Sequence, residues 1–140
     1  MKMVAIKPYR YLLDTNILSD LIRNPDGVIA ARLADLEEDE ACTSIVVVSE
    51  LRFGAVKKGS ARLAARVEQV IGKMDVLPLE SPVDSHYAEI RAHLVRKGQP
   101  IGHNDFFIAS HARALGLTLV TDNVGEFQRV PGLQVENWLI

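Results

Sequence analysis

The sequence has few of the features that mark secreted or membrane proteins. It contains one cysteine, Cys42, among 140 residues, which excludes an intrachain disulfide and a zinc site built on several cysteines. The apolar runs at the N-terminus are short and are broken by Lys7, Pro8 and Arg10, so the segment is not a signal peptide. No run approaches the roughly 18 apolar residues that span a membrane. We therefore expect a protein of the reducing cytoplasm without a membrane partner.

The sequence also lacks an excess of basic residues. Its 16 lysines and arginines face 18 acidic residues, a net charge of −2, whereas a surface that contacts phosphates is ordinarily basic. There are no repeats, low-complexity tracts or linkers, and 48% of the residues are hydrophobic, as in ordinary globular proteins. We expect one domain over residues 1–140, with residues 1–8 as a loose N-terminal extension.

Hydrophobic periodicity predicts strands that alternate with helices. The predicted strands cover residues 9–13, "VLPL", "LTLVT" and "LQVENW". Helices are predicted from Ile17, behind "NPDG", after Ser60, after Ser81 with Pro82 as its first residue, and after Asn104 as far as Leu115. Such alternation favours a mostly parallel sheet covered on both faces, and the chain is too short for a TIM barrel. The predicted fold is a three-layer α/β/α sandwich.

The segment "ACTSIVVV", residues 41–48, is ambiguous. Its β-branched content is typical of a strand. However, Val46 and Val47 precede Glu50 by four and three residues, and Phe53 and Gly54 follow it at the same intervals. A helix that begins near Ser44 would therefore place Glu50 on an apolar face.

Four carboxylates are predicted near one edge of the sheet. Asp14 and Asp122 each follow a predicted strand, and ligands of open α/β sheets bind where parallel strands end. For Asp14 a helix-capping role is the alternative. Asp105 and Glu50 border apolar helix faces. Buried anions must be protonated or balanced by a cation. Oxygen-only ligands favour Mg²⁺ or Mn²⁺, which indicates metal-dependent phosphodiester hydrolysis.

Four segments resemble the PIN-domain ribonucleases, and among them the VapC toxins of bacterial toxin–antitoxin pairs. They are "LLDTNILSDLI", "TSIVVVSELRFGA", "IGHNDFFIASHARALGLTLVTDNVGEF" and "RVPGLQVENW". They occur in the family's order and spacing over nearly the whole chain. The ending "DNVGEFQRVPGLQVENW" is similar to the VapC subset that cleaves initiator tRNA in the anticodon stem-loop.

The resemblance implies a Mg²⁺-dependent endoribonuclease that forms a homodimer. It also implies that a cognate VapB-type antitoxin neutralises the protein by placing its C-terminal segment in the active-site groove. Three acids of the family match Asp14, Glu50 and Asp105. They are the expected catalytic residues and metal ligands, with Mn²⁺ as a substitute for Mg²⁺.

The fourth site position has two candidates. The family's Thr-x-Asp or Thr-x-Asn pattern falls on Asn123, whereas Asp122, one residue earlier, offers negative charge. Successive side chains of an extended segment point to opposite sides, so we predict that Asn123 faces the metal and Asp122 caps the following turn. Supporting residues implied by the resemblance are Thr15, Asn16, Asn104 and Thr121.

Two other functions fit parts of the pattern. A haloacid-dehalogenase-type phosphatase would need a second aspartate two residues after Asp14, where this chain has Asn16. A PIN-like module that binds RNA or an antitoxin without cutting should have lost one of the three family acids, and all three are present.

Overall fold

The computed structural model describes residues 9–140, so the expectation for residues 1–8 lies outside the described residues. Five strands of this part form one sheet: β1 (Tyr11–Leu13), β2 (Ala41–Ser44), β3 (Asp75–Leu77), β4 (Thr118–Val120) and β5 (Val135–Glu136). Their order is β3-β2-β1-β4-β5, and every neighbouring pair is parallel. The predicted parallel sheet is confirmed.

The helices of the described chain are α1 (Thr15–Arg23), α2 (Val28–Ala34), α3 (Ile45–Lys58), α4 (Ala61–Ile71), α5 (Val83–Arg96), α6 (His103–Ala114) and α7 (Val124–Phe127). The chain moves along the sheet in one direction from β1 to β3 and returns in the other from β3 to β5. Because parallel crossovers are right-handed, α1 to α4 cover one face and α5 to α7 cover the other. This arrangement is the predicted three-layer sandwich. No helix among residues 9–140 is both long enough and apolar enough to cross a bilayer.

The direction of winding changes beside the central strand. Strand β1 pairs with β2 on one side and with β4 on the other, and its Leu12 and Leu13 are fully buried. The segments that leave β1 and β4 therefore diverge to opposite faces and open a crevice between them, the usual ligand position in such sheets. Asp14 follows β1 directly, and Thr121 follows β4.

The ambiguous segment becomes a strand and then a helix. Strand β2 ends at Ser44, whose Oγ accepts a hydrogen bond from the Val46 backbone N–H at 3.1 Å and so caps α3. Burial of Val46 and Val47 against the core outweighs the strand preference of valine. The helix therefore carries Glu50, as the alternative predicted. The apolar face was only half correct, because Phe53 is 65% exposed.

Three predicted helix starts were wrong. Helix α1 begins at Thr15, two residues before the predicted Ile17. Helix α5 begins at Val83, because Pro82 has a non-helical ψ of 28° and occupies the cap position in place of Ser81. Helix α6 begins at His103 with Gly102 at the cap position. Asn104 therefore lies in the first turn of α6, where its side chain bonds Glu50 and does not cap the helix.

Candidate active site

Asp14 lies at the predicted edge of the sheet and also caps the helix that follows it. It stands at the edge of the sheet, where its backbone N–H donates to the Val120 carbonyl oxygen of β4 at 2.9 Å. It also caps α1, because its Oδ1 accepts the Thr15 N–H at 2.8 Å. The side chain is buried, with 3% of the residue exposed. A carboxylate at this depth needs partners that offset its loss of water.

Three hydrogen bonds and one charge act on the pKa of Asp14 in opposite directions. Burial raises this pKa most, and the charge of Glu50 raises it further. Hydrogen bonds from the side chain of Thr121, the backbone of Thr15 and the side chain of Asn16 lower it. The net direction is upward, so the ionised form of Asp14 remains incompletely stabilised by its own neighbours.

Glu50 lies beside Asp14 because two polar side chains hold it there. The Thr15 hydroxyl donates a short hydrogen bond to Glu50 Oε1, and Asn104 Nδ2 lies 3.4 Å from Glu50 Oε2. Thr15 therefore bonds Asp14 through its backbone and Glu50 through its side chain. The start of α1, the middle of α3 and the start of α6 meet at this point.

Asp105 completes the predicted trio from the first turn of α6. It is half-buried, and its carboxylate has no hydrogen-bond or ion-pair partner among residues 9–140. Burial, followed by the charges of Asp14, Glu126 and Glu50, raises the pKa of Asp105 to about 6. The charges of three other carboxylates thus act on Asp105, and its neighbour Asn104 bonds Glu50.

Glu126 is the acid that the sequence analysis missed. It lies in α7, and its charge acts on Asp105 more than that of Glu50 does. Its Oε2 accepts a hydrogen bond from Asn123 Nδ2 at 2.5 Å. The signal was its position three residues after Asn123, which places two side chains on one side of a helical turn.

At the fourth site position the structure contradicts the role predicted for Asp122 as the cap of the following turn. Asp122 is exposed and does not cap the following turn, because Asn123 occupies the cap position of α7. The chain turns at this point, and the Asp122 N–H donates to Asn16 Oδ1 at 3.0 Å. Asp122 is also not among the charges that raise the pKa of Asp105. Asn123 is half-buried and contacts the acidic group through Glu126. Its role in the reaction stays a prediction.

Asn16 and Thr121 connect the two sides of the crevice. The buried Thr121 hydroxyl donates to Asp14 Oδ2 at 2.8 Å and accepts the Asn123 N–H at 3.0 Å. Asn16 Nδ2 lies 3.2 Å from both Asp14 Oδ2 and Thr121 Oγ1. Two of these bonds, Asn16 to Thr121 and Thr121 to Asp14, join residues more than 100 positions apart in sequence. The predicted supporting residues thus lie where they can orient Asp14.

The four acids have no counter-charge in the described protein. Among residues 9–140 no lysine, arginine or histidine pairs with Asp14, Glu50, Asp105 or Glu126. A divalent cation fits this donor set, because every side chain offers oxygen and two pKa values are raised. In the same range no three acidic, histidine or cysteine side chains already surround one point as metal ligands. Metal binding would therefore be accompanied by side-chain rotation.

Comparison with known proteins identifies the fold and its family. Residues 11–133 match the PIN domain. The chain belongs to the PIN-domain family. It is 39% identical over 130 residues to the tRNA(fMet)-specific endonuclease VapC of Shigella flexneri, a match that covers 92% of this chain and 98% of that protein.

Solved structures of PIN-domain proteins have the same fold. The structure of VapBC2 from Rickettsia felis, bound to a DNA fragment from its promoter, contains a chain with a TM-score of 0.86 and 34% identity, covering 91% of this chain and 98% of that one. DNA-bound VapBC from Salmonella typhimurium gives a TM-score of 0.85 and 38% identity, with 93% and 98% covered. Both are structures of VapBC proteins bound to DNA.

Proposed function

We propose that this protein is a Mg²⁺-dependent endoribonuclease toxin of the VapC type that acts as one PIN domain. The observation that carries the proposal is the group of Asp14, Glu50, Asp105 and Glu126 at the crevice between β1 and β4, where two pKa values are raised. Membership of the PIN family supports RNA as the substrate.

Asp14, Glu50 and Asp105 would hold the metal, with Mn²⁺ as a substitute for Mg²⁺. When bound, such a metal binds a phosphate oxygen and lowers the pKa of a bound water. The protein's own residues prepare the site for it. Thr121 and Asn16 fix the Asp14 carboxylate, and Thr15 and Asn104 fix Glu50.

The fourth position contains a neutral amide next to an acid. Asn123 binds Glu126 through its amide nitrogen, which leaves the amide oxygen to accept a hydrogen bond from a water or a ribose hydroxyl. The 12-residue helix α6 begins at the site, and its N-terminal dipole favours the negative charge of a phosphate. Both features suit a phosphodiester substrate.

The relatives support a tRNA as the substrate and an antitoxin as the partner of this protein. Because the Shigella flexneri relative is a tRNA(fMet)-specific endonuclease, we assign initiator tRNA, cut in the anticodon stem-loop, as the substrate of this protein. Cleavage would stop translation in the cytoplasm. Since related chains are found in VapBC complexes, a VapB-type antitoxin neutralises this protein, which itself forms a homodimer.

Expression without the antitoxin tests the proposal. Induction should arrest growth, and sequencing of RNA 5′ ends should reveal a new end in initiator tRNA. Asp14→Ala and Asp105→Asn should abolish both effects while the protein still accumulates, whereas Asp26→Asn, which changes an exposed turn, should retain them. EDTA should stop cleavage by the purified protein, and Mg²⁺ or Mn²⁺ should restore it. Persistent cleavage in EDTA, or arrest without a new RNA end, would contradict the proposal.

A further inference from the structure

Helix α6 begins without a side-chain cap, as α2, α5 and α7 also do. Asp14, Ser44 and Ser60 cap α1, α3 and α4 through side-chain oxygens, whereas Gly102 at the start of α6 makes no such bond. The backbone of Gly102 has φ −60° and ψ 154°, a conformation that any residue adopts. Serine, aspartate or asparagine would stabilise the helix start better than glycine does. The backbone of α6 therefore does not explain the glycine.

The space beside Gly102 contains the carboxylate of Asp105. A Cβ atom on Gly102 would lie 3.0 Å from Asp105 Oδ2 and 3.6 Å from its Cγ. The contact to Oδ2 is shorter than an ordinary van der Waals contact, so the carboxylate would have to move by a few tenths of an ångström. Since Asp105 has no hydrogen-bond partner among residues 9–140, its side chain can rotate away at little expense to the fold.

We propose that Gly102 is a positioning residue for the metal site: its missing side chain leaves open the space that the Asp105 carboxylate occupies. The proposal rests on the metal-dependent function proposed above. Mg²⁺ requires near-ideal octahedral geometry at about 2.0 to 2.1 Å. A Cβ atom on Gly102 would take up part of the space open to the Asp105 carboxylate and restrict the orientations from which it can meet this geometry, so we expect weaker binding.

The first test measures metal affinity and not activity. Gly102→Ala should weaken Mg²⁺ and Mn²⁺ binding, measured by titration calorimetry, by about tenfold, the lower end of the loss seen when residues that support metal ligands are changed. Gly54→Ala is the matched control, because a Cβ at this helical glycine would have no neighbour within 4 Å. It should bind metal like the wild type. Circular dichroism in EDTA should show the same fold for all three proteins.

A serine at position 102 distinguishes the effect of filling the space beside Asp105 from the effect of capping α6. Gly102→Ser restores a capping oxygen to α6 and should recover the melting temperature in EDTA that Gly102→Ala loses. It carries the same Cβ, so its metal affinity should remain about tenfold below that of the wild type. Recovery of affinity in Gly102→Ser would overturn the proposal in favour of a capping effect.

Removal of Asp105 provides the final control. In an Asp105→Ala background the Oδ2 atom is gone, so Gly102→Ala should not weaken Mn²⁺ binding further. An equal loss in both backgrounds would overturn the proposal, as would wild-type affinity in Gly102→Ala. Wild-type affinity in Gly102→Ala would leave the proposed function intact, provided that the wild type cleaves RNA when metal is present. A wild type that neither binds metal nor cleaves RNA would overturn both proposals.

Discussion

Replacing Asp105 by asparagine should stabilise the metal-free protein. The folded protein raises the pKa of Asp105 from 3.8 to about 6, so the ionised carboxylate disfavours folding. At about 1.4 kcal/mol per pKa unit the upper bound is about 3 kcal/mol. Asp105 is only half-buried, and solvent screening reduces the expected gain in unfolding free energy to about 1 to 2 kcal/mol.

The sign of this effect fixes its pH dependence. When the pKa of an acid is higher in the folded state than in the unfolded state, the folded protein binds more protons. Its stability therefore falls as the pH rises from the unfolded pKa to the folded pKa. The advantage of Asp105→Asn should therefore be complete above the folded pKa of about 6. It should shrink as the pH falls toward the unfolded value of 3.8.

Thermal unfolding in EDTA at pH 7.5 and at pH 4 measures this difference. For a domain of this size, about 1 to 2 kcal/mol corresponds to a rise of about 3 to 8 °C at the higher pH. Asp122→Asn is the control, because it removes an exposed charge that does not act on Asp105, and it should change little. With Mg²⁺ at a hundredfold its Kd the wild type gains about 2.7 kcal/mol, which should cancel or reverse the advantage. A variant that melts below the wild type in EDTA at pH 7.5 would refute the reasoning.

Two further predictions concern residues around Asp14 and the fourth position. Asn123→Ala should lower the cleavage rate by about tenfold or more, the loss expected for one hydrogen bond of about 1.4 kcal/mol in the transition state. Asp122→Ala should lower the cleavage rate less. The reverse ranking of the two variants at saturating Mg²⁺ would assign the fourth position to Asp122. Thr121→Val should lower the unfolding free energy, measured in urea, by about 1 to 3 kcal/mol, because it leaves buried polar partners without a hydrogen bond. Thr121→Ser should recover most of this loss. A valine variant as stable as the wild type would show that the hydroxyl is dispensable.

The positions of the three family acids could be predicted because each depends on local features. Asp14 follows a buried strand, and Asp105 follows the start of a helix with apolar residues at helical spacing. Glu50 depended on a choice between strand and helix for "ACTSIVVV". Burial decided that choice, since Val46 and Val47 fit the core as part of a helix.

The misses arose where tertiary contacts override local patterns. Asn104 has the composition of a helix cap, but Glu50, 54 residues earlier, holds its side chain. The spacing of Glu126 from Asn123 accounts for the bond between those two side chains, but nothing in the sequence near Glu126 indicates that its charge acts on Asp105, 21 residues earlier. Phe53 follows the apolar spacing of α3, yet no element among the described residues covers it, and it remains exposed.

The strand order also determines when the site can form during synthesis. Asp14 and Glu50 leave the ribosome early, whereas Asp105, Thr121 and Glu126 come from the last third of the chain. Strand β1 must wait for β4, more than 100 residues later, to complete its pairing, and contacts of such sequence separation form slowly. Because synthesis proceeds from the N-terminus at about 5 to 20 residues per second, a growing chain carries half of its acids for several seconds without the other half. A nascent chain therefore cannot assemble the nuclease site on the ribosome that is making it until its own translation is nearly complete.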